Sequence, residues 1–308
     1  MTLTERVKHK ALELGLQAVG MSRVTADRPE AARLTEWLSH GYHGEMAWMA
    51  RTTAKRQNPA LVLPGIRTII SLGMNYYRED SPDNRPGQGR IARYARGVDY
   101  HRILGERLER LATFLQTEAP DSRSRAYVDT GPLMEKAWAQ RAGLGWIGKH
   151  SNLVSGQYGS WLLLGEVLTT ADLDPDERGS DLCGTCTLCI RACPTGAITE
   201  PYVVDAQRCL SYLTIEQKGE IPEEFHKALG NRIFGCDDCL DACPYNHQAV
   251  ETAEPAFQAT PLTLNPDLEA LSRQSAEEFT AAFRGSAIRR ATHEGLQRSI
   301  AIALKNAP

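Results

Sequence analysis

All eight cysteines of this 308-residue chain lie between Cys183 and Cys243. The first four read Cys183-x2-Cys186-x2-Cys189-x3-Cys193-Pro194, and the last three read Cys236-x2-Cys239-x3-Cys243-Pro244. The second run lacks a leading cysteine, and Cys209 is the one thiol left to complete it. Thiolates are soft ligands whose negative charge offsets that of iron, so eight in this spacing suit two 4Fe-4S clusters. Where two such runs occur together, the fourth cysteine of each ligates the other cluster. The spacing therefore predicts Cys183, Cys186, Cys189 and Cys243 for one cluster, and Cys193, Cys209, Cys236 and Cys239 for the other. Pro194 and Pro244 turn the chain out of each ligand loop, because proline fixes φ and cannot donate a backbone hydrogen bond. Two Cys-x2-Cys pairs can also build zinc sites, but zinc has no use for a repeated x3-Cys-Pro. Disulfides are disfavoured by the spacing and by a start, MTLTERVKHK, that carries no export signal.

A bare electron carrier needs little beyond its cluster loops, yet 182 residues precede Cys183. That region must hold whatever receives the electrons: a flavin, a corrinoid, or a substrate reduced directly. Composition sets the frame. With 42% hydrophobic and 24% charged residues and no apolar run long enough for a membrane span, a soluble, cytoplasmic protein is expected. The net charge of −3 hides an asymmetry, since residues 1–150 carry 23 Lys+Arg against 16 Asp+Glu (+7) and residues 151–308 carry 12 against 22 (−10). A basic half can attract a polyanion even when the whole chain is acidic.

The elements that must position the chemistry follow from periodicity. Helices are predicted over 3–14, 29–40 and 100–117, the last with Leu104, Leu108, Leu111 and Leu115 on one face. Buried strands are predicted at 18–21, 67–76 and 161–168. The aromatic and methionine-rich stretch 41–49 is either a loop packed into the core or a wall for a flat cofactor. A Pro/Gly-rich loop over 78–96 carries Arg78, Arg85, Arg90, Arg93 and Arg96, and its length suggests function. Strand 125–129 delivers Asp129 at its carboxyl end, and Pro132 is placed to open the next helix. The three glycines of Gly143-Leu-Gly145-Trp-Ile-Gly148-Lys149-His150 permit close approach to a ligand, although the pattern is not that of a dinucleotide-binding turn. Residues 251–283 and 284–304 read as helical. The expected architecture is an α/β (α+β) reductase domain over 1–175, a ferredoxin-like two-cluster domain over 176–250, and a short C-terminal helical segment over 251–308.

The combination of Gly44-Glu-Met, Arg93-Tyr-Ala-Arg-Gly-Val-Asp-Tyr-His101, Val128-Asp-Thr-Gly131, Gly143-Leu-Gly-Trp-Ile-Gly-Lys-His150 and the two cysteine runs resembles the epoxyqueuosine reductases, over about residues 1–304. The resemblance implies a cobalamin in the α/β domain, two 4Fe-4S clusters, a tRNA substrate with a queuosine-type anticodon, and kinship with corrinoid reductive dehalogenases. Longer members of that family continue into helical repeats beyond the 284–304 segment, which leaves the extent of tRNA contact open. A monomer is expected, served by an unidentified low-potential electron donor.

Reducing an epoxide to an alkene takes two electrons and expels oxygen as water, so a proton donor is required. Asp129 is the candidate: among aromatics and a corrin face its pKa would be raised by desolvation, keeping it protonated. The competing role is an N-cap for the following helix. Asp99 and His101 are candidates to orient the cyclopentane diol or relay protons, against a capping role at helix 100–117. Tyr76 is expected to close the pocket. Gly145, Gly148, Lys149, His150 and Asn152 are expected to contact the cobalamin, with cobalt carrying no protein ligand, because no Asp-x-His-x-x-Gly setting is present. Two rival readings remain: a dehalogenase-like corrinoid reductase of a small molecule, and a ferredoxin-like electron-transfer module without catalysis.

Overall fold

A computed structural model describes residues 1–25, 27–83 and 85–307. Its centre is a four-stranded sheet of β1 (Ala18–Arg23), β2 (Thr68–Asn75), β3 (Ser124–Tyr127) and β4 (Leu162–Thr169), in the order β1-β2-β4-β3. Every neighbouring pair is antiparallel. All eight residues of β2 are buried, as its β-branched, apolar run requires of a strand covered on both faces. On one face Ile70, Leu72, Met74 and Val167 pack against α1 (Leu3–Glu13) and the leucine stripe of α2 (Tyr100–Glu118). On the other, Ile69 and Leu168 pack against Trp138 of α3 (Glu135–Arg141). The mixed α/β expectation holds, although ligand placement cannot rest on the edge rule for parallel sheets. The relevant end of the sheet is where β2 finishes, β4 begins, and β3 leads into residues 128–130.

Two local expectations around that end are corrected. The strand predicted to reach Asp129 stops at Tyr127, and Asp129 has φ 54°, the left-handed region that non-glycine residues seldom enter. The helix expected to open at Pro132 begins at Glu135 and has no side-chain cap, so Asp129 is not its N-cap. The C-terminal stretch also differs. Residues 251–283 break into short helices capped by Thr260, Asp267 and Ser275, because Pro255, Pro261 and Pro266 interrupt any longer one.

In the cysteine region α4 (Leu188–Ala192) packs against α6 (Asp238–Asp241), and α5 (Leu210–Ile215) fills the insertion after Cys209. The insertion returns through Arg232–Phe234, which pairs in parallel with Arg90–Ile91. One hydrophobic cluster joins Ile91 and Ala95, Ile233 and Phe234, and Leu296 and Ile300 of α7 (Thr292–Asn306), so all three stretches of the chain share it. Among the described residues no helix is long and apolar enough to cross a membrane.

Candidate active site

At the end of the sheet lies an open cavity of about 270 Å³. Its bed is Leu162, Leu163 and Leu164 of β4 with Tyr76 after β2, and its far wall is Cys236, Asp237 and Leu240 of the second cysteine run. Tyr94, Tyr100, Asp129, Glu135, Lys136 and Asn152 bring polar groups to it. A single space therefore touches both a cluster loop and an acid constellation.

Four side chains build that constellation. Asp99 caps α2 by accepting the backbone N–H of His101 at 3.0 Å, and the same oxygen lies 2.7 Å from His101 Nδ1. Nε2 of His101 stands 3.4 Å from Asp129 Oδ2, which also accepts the Tyr100 hydroxyl at 3.2 Å. The capping role of Asp99 and its contact with the imidazole thus coexist. The neutral Asp129 expected from the sequence is corrected. The hydrogen bond from His101 outweighs desolvation and holds the carboxyl below its ordinary range. His101 is raised in turn to about 9, through Asp129 first and Asp99 second, so the imidazole carries the proton at neutral pH. Burial tends to raise Asp99, but its hydrogen bonds from His101 prevail and lower it.

The cysteines gather in two groups. Burial raises the Cys189 thiol, and Cys183, Cys243 and Cys186 are the thiols that act on it further; Cys243 feels Cys183 and Cys186. Cys209 feels Cys193, Cys236 feels Cys209, and Cys239 feels Cys209, Cys236 and Cys193. Among the described residues no three potential ligands converge closely enough for a single metal ion. A four-iron cube holds its thiolates farther apart than one ion does.

The family scan places "Epoxyqueuosine reductase QueG, DUF1730" on residues 56–130 and "4Fe-4S double cluster binding domain" on residues 182–246. The epoxyqueuosine reductase of Escherichia coli (strain K12) is 44% identical over 310 residues, spanning 99% of this chain and 82% of the relative. That of Synechocystis sp. is 46% identical over 277 residues, spanning 89% and 95%. The chain belongs to the epoxyqueuosine reductase family. Among solved structures, an epoxyqueuosine reductase with a tRNA-Tyr epoxyqueuosine-modified stem loop superposes with a TM-score of 0.92 at 33% identity, over 99% of this chain and 81% of that one. The Bacillus subtilis enzyme, with its catalytic aspartate loop swung out of the active site, gives 0.90 at 32% identity, over 99% and 81%.

Within this family member, several residues expected at the cofactor make packing and hydrogen-bond contacts of their own. Lys149 donates to the carbonyls of Gly184 and Cys186 at 2.6 and 2.9 Å, clamping the first cysteine loop. Gly145 is needed because a Cβ there would lie 2.0 Å from the Val154 carbonyl oxygen, and one at Gly148 would meet Val154 and His150. His150 is buried, accepts the Asn152 N–H at Nδ1 and is lowered to about 4 by burial, so it stays neutral. Asn152 and Tyr76 do line the cavity; Asn152 Oδ1 accepts from Lys136 Nζ at 2.7 Å. Two arginines of the 78–96 loop are turned inward, while Arg85 is exposed. Arg96 is 4% exposed and pairs with Asp80, while Arg93 pairs with Asp80 and lies over the rings of Tyr77 and Trp161.

Sequence reasoning gave no role to Tyr94, Tyr100, Glu135, Lys136 or Glu166. Glu166 did leave a signal: it is the one ionisable residue in the apolar run of β4, where it is fully buried with both carboxyl oxygens unpartnered. Glu135 left none, since a glutamate in the first turn of a helix is ordinary.

Proposed function

We infer that this chain reduces the epoxide of epoxyqueuosine in tRNA to the alkene of queuosine. Family membership supports the reaction, and the relative crystallised with an epoxyqueuosine-modified stem loop supports tRNA as the carrier of the substrate. The observation that carries the reading in this chain is the shared cavity, with Cys236 on one side and Asp129, Tyr100 and Glu135 on the other. Electrons and protons have to meet in one place, and this is where both are within reach.

For the clusters, the mutual influence of the thiols favours Cys183, Cys186, Cys189 and Cys243 as one ligand set and Cys193, Cys209, Cys236 and Cys239 as the other. Hydrogen bonds suited to anionic sulfur reach each group: Trp146 Nε1–H to Cys183 Sγ at 3.4 Å, and Ala197 N–H to Cys193 Sγ at 3.2 Å. For cobalamin, leucines of β4 offer apolar lining, and Asn152, Lys136, Ser160 and Ser211 offer groups for the corrin amides. When bound, cobalamin supplies a centre that collects two electrons delivered singly.

The residues supply the rest. His101, held between Asp99 and Asp129, keeps a proton beside the Asp129 carboxylate, which faces the cavity with its side chain 60% exposed. Asp129 relays that proton from His101 to the departing oxygen, while Tyr100 fixes the carboxylate by its hydroxyl.

The test is anaerobic reconstitution with iron, sulfide and cobalamin, followed by assay on tRNA bearing epoxyqueuosine. The expected product nucleoside lacks one oxygen, and tRNA binding should weaken as salt rises. Protein that holds iron and sulfide, takes up no cobalamin and leaves the epoxide intact would support an electron-transfer module instead.

A further inference from the structure

Turning an oxirane into an alkene breaks both C–O bonds, forms the C=C bond and releases the oxygen as water. The balance is two electrons and two protons per turnover. The electrons come singly from a low-potential donor through the clusters. The Asp99–His101–Asp129 array holds one mobile proton, since its two carboxylates share a single imidazolium. The second proton needs another source on the same cavity.

We propose that Glu135 is that second acid, donating to the oxygen as it leaves as water. It is the first residue of α3, lines the cavity with Asp129, and its Oε1 is buried without a hydrogen-bond partner. The charged groups around it come from every element packed there, and each cation is committed elsewhere. Lys136 of its own helix donates to Asn152 Oδ1. Arg56, from the helix Thr53–Gln57, donates to the Leu133 carbonyl and Thr52 Oγ1. His101 of α2 is held by Asp99 and Asp129. Among the described residues no ion pair to Glu135 forms, so an ionised carboxylate here would lie unpaired beside Asp129. Burial first, and the Asp129 charge second, raise its carboxyl to about 8, so it is protonated at neutral pH. Glu166 of β4 is a neutral acid too, raised by burial and then by Glu135 and Asp129, but it is sealed from solvent and does not line the cavity. The division of labour leaves Asp129 and His101 as the ionised pair and Glu135 as a neutral donor. Neighbouring groups whose pKa values are driven apart commonly divide acid and base roles in this way.

The proposal rests on the epoxide-reducing function inferred above, and its test separates the two. Glu135→Gln keeps the shape and removes the proton. In reconstituted full-length protein it should retain iron content, lower kcat about 100-fold and leave the KM for tRNA within about twofold. The alkaline limb near about 8 in the wild-type rate profile should disappear, and Glu135→Asp should recover part of the rate. A readout independent of turnover is the infrared difference spectrum between pH 6 and pH 10. The wild type should lose a protonated-carboxyl band with a midpoint near about 8 that Glu135→Gln lacks. Wild-type kcat in Glu135→Gln, or a band still titrating there, overturns the proposal while the functional reading stands. A wild-type protein that leaves epoxyqueuosine intact overturns the functional reading instead.

Discussion

Replacing Asp129 by asparagine tests the imidazolium–carboxylate pair at its centre. The variant keeps the size of the side chain, and asparagine tolerates the left-handed φ of 54° as well as aspartate does. It weakens the hydrogen bond that does most to hold the proton on His101 and removes the Asp129 charge. The distance between about 9 and the ordinary 6.5 is worth about 3 kcal/mol at full strength, shared by Asp129 and Asp99. The His101 and Asp129 side chains are 34% and 60% exposed, and solvent screening reduces the Asp129 share to about 1 kcal/mol. The His101 midpoint in Asp129→Asn should therefore fall by about one pH unit, with Asp99 still bonded to Nδ1. Because the folded-state value is raised, the pair's stabilisation is complete below about pH 6.5 and is lost as pH climbs through about 9. The variant should lose less stability than the wild type across that window. The assay is histidine ring titration by NMR together with kcat against pH. We expect kcat to drop about 100-fold or more with iron and cobalamin retained. An unshifted His101 midpoint would refute the electrostatic argument, and near wild-type kcat would remove Asp129 from the proton path.

Three other outcomes follow from the geometry. Cys209→Ser should halve the iron content, and full iron would mean that the distant ligand of the second cluster is another residue. Lys149→Met cuts two donors from the first cysteine loop, so iron should be lost more readily from that loop on dilution with chelator, while tRNA affinity stays the same. Arg96→Ala opens a buried pair with Asp80 and should cost about 2 kcal/mol in urea unfolding. Its tRNA affinity should keep the wild-type salt slope, and a slope smaller by about one would return Arg96 to the phosphate backbone.

Legibility from sequence was high where spacing alone sets the chemistry and low where a side chain's charge state depends on its neighbours. The leucine stripe of α2 is a local pattern, and the structure buries all four leucines in one cluster as that pattern predicts. Asp129 lines the cavity, but it is held ionised rather than neutral, because desolvation can be guessed from a strand end whereas the 3.4 Å approach of His101 cannot. Lys149 and the glycines of the 143–152 loop were legible as special but not as packing residues, because small and basic residues suit a ligand and a packed cysteine loop equally well. Glu135 became visible only when β4, α3 and the Asp129 turn were brought around one cavity.

The parallel pairing of Arg90–Ile91 with Arg232–Phe234 bears on how the protein matures. Asp237, between two cysteines of the second group, accepts the backbone N–H of Arg93 across 144 residues of sequence at 2.7 Å. Closing so long a span costs about 4 kcal/mol of chain entropy, which the packed sheet and its helices must offset first. Each proposed ligand set draws on both cysteine runs: Cys243 has to reach Cys183, Cys186 and Cys189 from 54 residues or more away, and Cys236 and Cys239 have to reach Cys209 from 27 or more. Neither proposed site can therefore be completed until the two runs have come together, and the Arg93–Asp237 contact ties that meeting to the half of the chain that carries the cavity.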